Sequence, residues 1–415
     1  MRDIIRIALR NLKRYHRRTL LTSLLITAGV VSVLVYTSLS GSFKAMMIGQ
    51  ITDSMLGHLQ VHKKGFVASI DNLPLNMTMP GKDAAIVETL LKKNPSVEAW
   101  SPRIKFGAMI SNFEETTNIR LNAVDPEREL ATVPLLEGRI IEGEKGAGSM
   151  EKGKILIPEL LARGMKLGLG DQVVIVATNR DGSVNGTPLV VGGILESATG
   201  PGGRDGYIHM DDGEGLLRMD APQVSEFAIR LKDFEELEGV RAQIETALSG
   251  ELNQAGVPRF EVHTWEKLSP FVNIATMIDI MTISVKILLV FIALISVMNV
   301  MIMAVFERIR EIGAISAMGT LPGKIRALYV TEGFFLGVVG SLAGTALSLL
   351  AVAVLNIWPI SFNFGRSTGL ALKPSLSLGE IAFTVLIVLA VSVIASLQPA
   401  VKASRMEPIK ALRHV

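Results

Sequence analysis

The chain has 415 residues, of which 49% are hydrophobic, 20% are charged and none is cysteine. The lack of cysteine excludes a disulfide scaffold, a cysteine-ligated metal site and a thiol nucleophile. The net charge of +3 conceals two opposed regions, because residues 44–270 hold 24 basic and 32 acidic side chains, against 18 and 7 elsewhere. Since the part that can form a globule is acidic, a nucleic-acid-binding domain is excluded.

Residues 1–18 predict an amphipathic helix in the cytoplasmic membrane interface. Ile5, Leu9 and Leu12 share one helical face, while arginines line the other. Residues 19–43 contain no charged side chain, and a helix of this length can cross a bilayer. This apolar run exceeds that of a signal peptide and lacks a cleavage site, so we expect a retained anchor.

The region 44–270 predicts an α+β domain inserted between the first two membrane helices. Its pattern indicates strand, helix and strand twice, with helices at Asp83–Lys93 and Phe234–Leu248. These two βαβ-like units bracket a β-rich segment with glycine-rich turns, in which 199–206 is expected to be an exposed loop. The acidic side chains of the domain are expected to form a dispersed, solvated face.

Three more apolar segments complete a membrane domain of four transmembrane helices. The predicted segments are span two with an extracytoplasmic extension (271–306), a cytoplasmic loop (307–325), span three (326–356), an outer loop (357–379), span four (380–400) and a tail (401–415). Basic side chains concentrate in the N-terminal segment, in the 307–325 loop and in the tail. The positive-inside rule therefore places both termini in the cytoplasm and 44–270 outside an inner membrane.

Two motifs of enzymes and metalloproteins are present only in part. Gly148–Lys154 has the glycine and lysine spacing of a phosphate-binding loop, but a strand-like run follows it where a helix is required. His58 and His62 lie in a strand-like run without a third ligand, so surface histidines are expected rather than a metal site. The sequence predicts neither catalytic nor metal-binding residues.

Charged residues border the apolar runs 287–306 and 333–355 of spans two and three but do not interrupt them. Lys286 begins the second apolar run, where its amine can snorkel outward, and Glu332 precedes the third, where Arg308, Arg310 or Arg326 can pair with it. A polar path across the bilayer is not predicted. Glycines three or four positions apart on span three, in contrast, predict close helix packing within the bundle or between two copies. They are Gly333, Gly337, Gly340 and Gly344.

The loop after span two predicts a short amphipathic helix bounded by glycines. Ile309, Ile312 and Ile315 share one face, and charged residues flank them. A short helix joining two spans suits a groove on a cytoplasmic partner; the alternative is an interfacial helix without a partner.

Three motifs resemble those of FtsX/MacB-type ABC transporter permeases. They are IALRNLKRYHRRTLLT at the start, ERIREIGAISAMGTLPGKI with YVTEGFFLGVVGSLAG in the middle, and SLQPAVKASRMEPIKALR at the end. In the outer domain, GHLQVHKKGF, NAVDPERE and LLEGR are more similar to the lipoprotein-releasing LolC/LolE branch than to the macrolide exporters, which fuse an ATPase to the N-terminus.

This resemblance implies a non-catalytic subunit that pairs with a second copy or a paralogue. Two copies of a cytoplasmic ABC ATPase would bind ATP and Mg²⁺, so no cofactor is expected on this chain. The resemblance assigns ATPase coupling to the middle motif, at Glu307, Arg308, Arg310, Glu311, Gly313 and Gly319. Cargo would be handled at the outer leaflet, as a lipoprotein or through a periplasmic adaptor.

For lipoprotein release, the resemblance also implies an acyl-chain groove between spans one and two. The groove positions are Leu34, Val35, Leu39, Ile274, Met277, Ile280 and Met281. They are apolar and rich in methionine, as such a groove requires, but a helix extending past the membrane would carry similar residues. Two other functions stay open: export of a small molecule or peptide, and a transmembrane sensor.

Overall fold

A computed structural model describes residues 2–197, 205–364 and 367–407. The chain divides into two compact units, one formed by Met1–Met46, Ile274–Phe362 and Gly369–Val415 and the other by Met47–Asn273 and Asn363–Thr368. The first unit is a helical bundle and the second is an α+β domain. The predicted fold class is thereby confirmed.

The chain begins with α1 (Arg2–Arg14) and α2 (His16–Ile51). The first membrane-spanning segment extends over Thr19–Leu56 and ends in a π-helical turn. Gly57, at φ 73°, leads the chain out of this turn. A Cβ atom at Gly57 would lie 3.0 Å from the carbonyl oxygen of Ile229, so only glycine fits where the helix meets the sheet.

The outer domain contains seven α-helices and twelve strands among its described residues. The helices are α3 (Gly81–Lys93), α4 (Pro126–Thr132), α5 (Leu135–Gly138), α6 (Glu159–Gly164), α7 (Met210–Leu216), α8 (Leu237–Ser249) and α9 (Trp265–Leu268). The strands are β1 (Leu59–Lys63), β2 (Met79–Pro80), β3 (Val97–Ser111), β4 (Thr116–Val124), β5 (Ile140–Gly143), β6 (Lys154–Pro158), β7 (Gln172–Thr178), β8 (Val184–Leu195), β9 (Asp205–His209), β10 (Gln223–Val224), β11 (Glu226–Leu231) and β12 (Phe260–Thr264).

Ten of these strands form one mixed sheet. Its order is β12-β1-β11-β3-β4-β9-β6-β8-β5, with β7 pairing with β3 and β8. The two predicted βαβ units are present, but each is split, because β11 of the second unit lies between β1 and β3 of the first and is antiparallel to both. The middle segment continues the same sheet from β3 onward, so the domain does not separate into independent units.

A cluster of charged side chains is buried in this sheet. Arg103 binds the carboxylates of Glu129 and Glu226, with Nε–Oε2 and Nη1–Oε1 distances of 3.0 and 3.1 Å. Lys105 Nζ also lies 2.9 Å from Glu226. The expectation of a uniformly solvated acidic face is therefore wrong for Glu129 and Glu226, which are fully buried. The positions of Arg103, Glu129 and Glu226 in the sequence do not show that β3, α4 and β11 bring these side chains together.

The histidines of the first strand are also buried, which corrects the expected surface location. His58 lies 3.1 Å from Asp53 and accepts a hydrogen bond from the backbone N–H of Leu231. His62 stacks on Phe66 and lies 3.4 Å from a Glu226 oxygen. Within the described residues, no group of three or more potential ligands is close enough to hold a metal ion.

The phosphate-loop spacing at 148–154 has the surroundings expected from the sequence. A short 3₁₀ helix, Gly146–Met150, overlaps its start, and β6 begins at Lys154. Lys154 Nζ donates to the carbonyl oxygen of Gly148 and to Glu151. A helix N-terminus that could bind phosphate does not follow the lysine.

The bundle is completed after the outer domain. Its elements are α10 (Val272–Glu307), α11 (Ile309–Ala317), α12 (Pro322–Ile357), the β13 (Ser361–Phe364) and β14 (Ser367–Ala371) hairpin, and α13 (Leu378–Ser404). With α2, the helices α10, α12 and α13 are long and apolar enough to span a membrane. The α13 helix begins with a capping box between Ser377 and Glu380.

The four glycines of α12 lie at close contacts between helices of the bundle. A Cβ atom at Gly333 would lie 2.6 Å from the Ser396 Cβ on α13, and one at Gly340 would lie 2.6 Å from the Ile26 Cβ on α2. Gly337 and Gly344 repeat these approaches one turn further along. The stripe therefore brings α12 into backbone contact with α2 and α13.

Some predicted segments fall partly outside the described residues. They include the glycine-rich loop 199–206, of which 205 and 206 begin β9, the outer loop 357–379, of which 365 and 366 are not described, and the tail 401–415, of which residues to 407 are described.

Candidate functional site

The candidate site is the end of the bundle at which α10, α11 and α12 meet. Arg308 is the single residue between α10 and α11, and its non-helical backbone (φ −110°, ψ 20°) turns the chain there. Ile312 then buries one face of α11 in the bundle core, and Gly319, at φ 86°, allows the turn into α12. The predicted short helix is thus present, with Gly319 after its end.

An ion pair below α11 fixes the helix to the third span. Arg308 Nη1 donates to a Glu332 carboxylate oxygen at 3.0 Å, and the two side chains are 4% and 2% exposed. Glu332 therefore pairs with Arg308, one of the three arginines expected from the sequence. Since a buried charge without its counter-ion lowers stability, replacing either residue alone should destabilise the bundle.

The N-terminal helix contributes to the same ion pair. Asn11 of α1 donates through its side-chain amide to the Glu332 oxygen that Arg308 binds, at 2.7 Å. The Arg308 guanidinium lies 4.1 Å from the ring centroid of Tyr15, a cation–π distance. We call Asn11, Tyr15, Arg308 and Glu332 the coupling node. It ties α1, the start of α11 and α12 into one assembly.

Asn11 and Tyr15 were not among the site residues predicted from the sequence. A signal was nevertheless present, because both follow buried Ala8 at helical spacing and so interrupt the apolar face of α1 with polar groups. A polar residue on the buried face of an amphipathic helix requires a partner, although its spacing cannot say which one.

The outward side of α11 carries exposed charged and apolar groups. Glu311 and Arg310 are exposed, and the Tyr15 hydroxyl donates to Glu311 at 3.4 Å. Beyond them, Met318 and Leu321 are 77% and 65% exposed. Together with Ile315, these two residues form an apolar patch, which we call the α11 patch. Apolar side chains in such a grouping are typical of a protein contact.

A cavity of about 400 Å³ adjoins this patch. Ile4 and Ile7 of α1 line one side, while Ile315 of α11 and Leu328 of α12 line others. Asn11 and Arg308 form part of its wall. The coupling node is therefore adjacent to open space as well as to the bundle core.

The predicted coupling residues thus divide into two sets. Glu307, Arg310 and Glu311 are exposed, as a docking contact requires, whereas Arg308 is buried and supports the helix from below. The sequence suggested that Gly313 bounds the helix, but Gly313 lies buried within it. A larger side chain at Gly313 would have to enter the surface that α11 packs against.

The predicted groove positions also divide. Ile274, Met277, Ile280 and Met281 are exposed on α10, each between 40% and 59%. Val35 and Leu39 of α2 are half-buried. Leu34, in contrast, is packed in the bundle core with Val297 and Met301, and therefore does not line an open groove in this structure.

These features define an integral membrane protein with four candidate spans, a large α+β domain after the first of them and a short helix exposed between two others.

Comparison with known families gives the class. The family model of the MacB-like periplasmic core domain matches residues 19–247, and that of the FtsX-like permease C-terminal region matches residues 283–408. The chain therefore belongs to the FtsX/MacB type of ABC transporter permeases. The transmembrane helices and the periplasmic-type domain expected from the sequence motifs are confirmed.

Individual relatives come from both branches of this type. The macrolide export ATP-binding/permease protein MacB 2 of Aeromonas hydrophila is 24% identical over 99% of this chain and 60% of its own length. The lipoprotein-releasing system transmembrane protein LolC of Xylella fastidiosa is 22% identical over 78% of this chain and 80% of its own. An uncharacterized ABC transporter permease of Methanocaldococcus jannaschii is 27% identical over half of each chain.

The chain spans about half to three fifths of the length of several of these relatives. Among solved structures, the periplasmic region of MacB from Actinobacillus actinomycetemcomitans matches 52% of this chain and 94% of its own, with a TM-score of 0.37 and 10% identity. The similar identities to MacB and LolC do not distinguish the two branches.

Proposed function

We propose that this chain is the membrane subunit through which a separate cytoplasmic ATPase moves the outer domain, and that its cargo is a lipoprotein of the inner membrane. The observation that carries the proposal is the α11 patch, whose exposed apolar side chains adjoin the charged groups Arg310 and Glu311. A soluble partner that covers this patch would gain apolar burial at about 25 cal/mol per Å².

The coupling node supports transmission from such a partner. Because Arg308 binds both Glu332 and the ring of Tyr15, a force on α11 reaches α12 and α1 without passing through a flexible loop. ATP and Mg²⁺ belong to the partner in this proposal, and a second permease copy or paralogue completes the complex. Membrane lipid surrounds the bundle.

Co-purification tests the partner. The tagged full chain is isolated from its native membrane, and an ABC ATPase with measurable ATP hydrolysis should accompany it. A matched pair of variants locates the contact: Met318→Asp should reduce the recovered ATPase by at least about ten-fold, since burying a charge at a contact costs more than 1.4 kcal/mol. Phe113→Asp, at an exposed apolar position of the outer domain, is the control.

Activity tests the coupling role separately. Glu311→Arg and Gly313→Leu should leave a complex whose ATP hydrolysis no longer drives transport, because the first reverses a surface charge and the second displaces α11 from its packing. Full transport by both variants would refute the docking role of α11.

Depletion of the chain tests the cargo. Lipoproteins destined for another membrane should accumulate in the inner membrane when the chain is removed. The second candidate, export of a small molecule or peptide through a periplasmic adaptor, is favoured by the macrolide-export names of several relatives. Unchanged lipoprotein sorting together with increased sensitivity to a macrolide would select that function.

A further inference from the structure

A groove on the membrane surface of the bundle contains one charged side chain. It is bordered by α2, α10 and α13, and its wall is apolar apart from Lys286 and Thr384. Lys286 is half-buried, and among the described residues it makes no hydrogen bond or ion pair. A positive charge in such surroundings favours an anionic occupant.

The position of Lys286 along α10 matches a lipid headgroup. It precedes Glu307, the last residue of α10, by roughly 30 Å of helix, at about 1.5 Å per residue. That length equals the hydrocarbon thickness of a bilayer, which is about 30 Å. If the Glu307 end lies at one boundary of the hydrocarbon, Lys286 therefore lies at the other, at the depth of lipid phosphates.

The groove continues from Lys286 into the hydrocarbon layer. On α10 it passes Val290 and Ala293, and on α2 it passes Val33 and then Ile26. Each of these stretches is roughly 10 Å long, the rise of two helical turns. The lining thus has a charged end and an apolar length, which is the shape of a lipid with a negative headgroup and an acyl chain.

A glycine makes the apolar part of this groove accessible. Gly29 of α2 lines the groove, and a Cβ atom built there would meet no other atom within 4 Å. In contrast, Gly340 and Gly344 on α12 are glycines because α2 contacts them. Space at Gly29 is therefore left open by the fold and is not consumed by helix packing.

We propose that this groove binds one anionic phospholipid, with its phosphate at Lys286 and an acyl chain along Gly29 and Val33. The site lies on a different face from the residues Ile274, Met277 and Met281 considered for cargo, and it does not depend on the cargo or on the ATPase. Its occupant is a resident lipid of the bundle.

Native mass spectrometry of the full chain, released from nanodiscs with equal amounts of phosphatidylglycerol and phosphatidylcholine, tests the headgroup. The wild-type chain should retain phosphatidylglycerol in preference to phosphatidylcholine. Lys286→Gln should reduce that preference about ten-fold, as expected for the loss of one charge-assisted hydrogen bond. Lys44→Gln is the matched control, because Lys44 joins the same two helices and already pairs with Asp279 at 2.6 Å.

A second pair of variants tests the acyl-chain part. Gly29→Leu should fill the groove and remove the retained lipid while Lys286 is intact. Gly41→Leu is its control, since Gly41 lies on the same helix and also faces open space. Unchanged lipid retention in Lys286→Gln or in Gly29→Leu would overturn the proposal. A change in the number of chains per complex, with lipid retention unaffected, would instead assign the face to a contact between copies.

Discussion

Arg103 is the largest fully buried side chain among the described residues, and it carries a charge. Its partners Glu129 and Glu226 come from α4 and β11, which both contact β3. Although burial alone raises the pKa of Glu226, Lys105, His62 and Arg103 hold this pKa well below its ordinary value of 4.5. Glu226 is therefore ionised in the folded domain, and the network depends on that charge.

Replacing Glu226 tests this dependence. Glu226→Gln keeps the shape but leaves Lys105 without a carboxylate and Arg103 with that of Glu129 alone, so we expect a loss of about 3–5 kcal/mol in the free energy of unfolding. Thermal unfolding of the full chain in detergent measures the change. Glu238→Gln, at an exposed pair on α8, is the control and should change stability by less than about 0.5 kcal/mol. Equal effects of both variants would contradict the structural importance of the buried network.

Acid should destabilise the outer domain, beginning near the titration range of histidine. Burial lowers the pKa of His263 below its ordinary value of 6.5, Glu261 opposes this change, and His62 adds to it. The folded state then binds fewer protons than the unfolded state, so stability decreases as the pH falls below about 6.5, and again below about 4.5 as Glu226 is titrated.

His263→Gln removes the first of these two contributions. We expect the unfolding temperature of this variant to decrease less than that of the wild type between about pH 7.5 and pH 5.5. Differential scanning calorimetry at the two pH values measures the difference. His16→Gln, which changes an exposed histidine at the start of α2, should behave as the wild type does. An unchanged decrease in His263→Gln would assign the acid sensitivity to other groups.

At the scale of elements, α12 determines how closely the bundle can pack. Gly340→Ala would place a Cβ atom 2.6 Å from the Ile26 Cβ, so α12 must move away from α2. We expect a loss of about 1–3 kcal/mol, the range for overpacked cores. Gly323→Ala in the first turn of the same helix meets no atom within 4 Å and should be neutral or slightly stabilising. Chemical unfolding in mixed micelles measures the free energy of unfolding of both variants. Similar losses of stability in Gly340→Ala and Gly323→Ala would exclude packing as the cause.

The short helix α11 depends on the coupling node for its position. Glu332→Gln removes the charge that Arg308 and Asn11 share, so α11 and α1 should move independently of α12. We expect ATP hydrolysis by the assembled complex to continue while transport falls at least about ten-fold, because one buried charged contact exceeds 1.4 kcal/mol.

A conservative replacement separates positioning from simple unfolding at this node. Glu332→Asp keeps the charge and should recover part of the coupling, whereas a loss caused by instability would follow the unfolding temperature in both variants. Equal transport in Glu332→Gln and the wild type would show that the node does not transmit force.

At the scale of the whole molecule, the four spans determine which segments share a side of the membrane. The chain is free of cysteine, so single cysteines report their own location. Phe113→Cys in the outer domain should react with a membrane-impermeant maleimide in intact cells, while Met318→Cys beside α11 should react only after the membrane is opened. Both positions are more than 70% exposed. Reaction of both in intact cells would refute the predicted orientation.

Much of this organisation follows from local sequence. The four spans and the short helix were predictable, because apolar length and helical spacing are properties of contiguous residues. The glycine stripe of α12 and the helices α3 and α8 were predictable for the same reason. The sequence also indicated Arg308, Arg310 and Arg326 as possible partners of Glu332, because they lie near the same end of the predicted bundle.

The tertiary structure alone decided which distant residues meet. The interleaving of β1 and β11, the burial of His62 and Glu226, and the approach of Asn11 to Glu332 each join positions more than 150 residues apart. Local spacing determines the face on which a side chain lies, but the partner of that face is chosen by packing of the whole chain. For this reason the sequence by itself determined the spans and the permease type, whereas only the folded chain revealed the coupling node and the groove at Lys286.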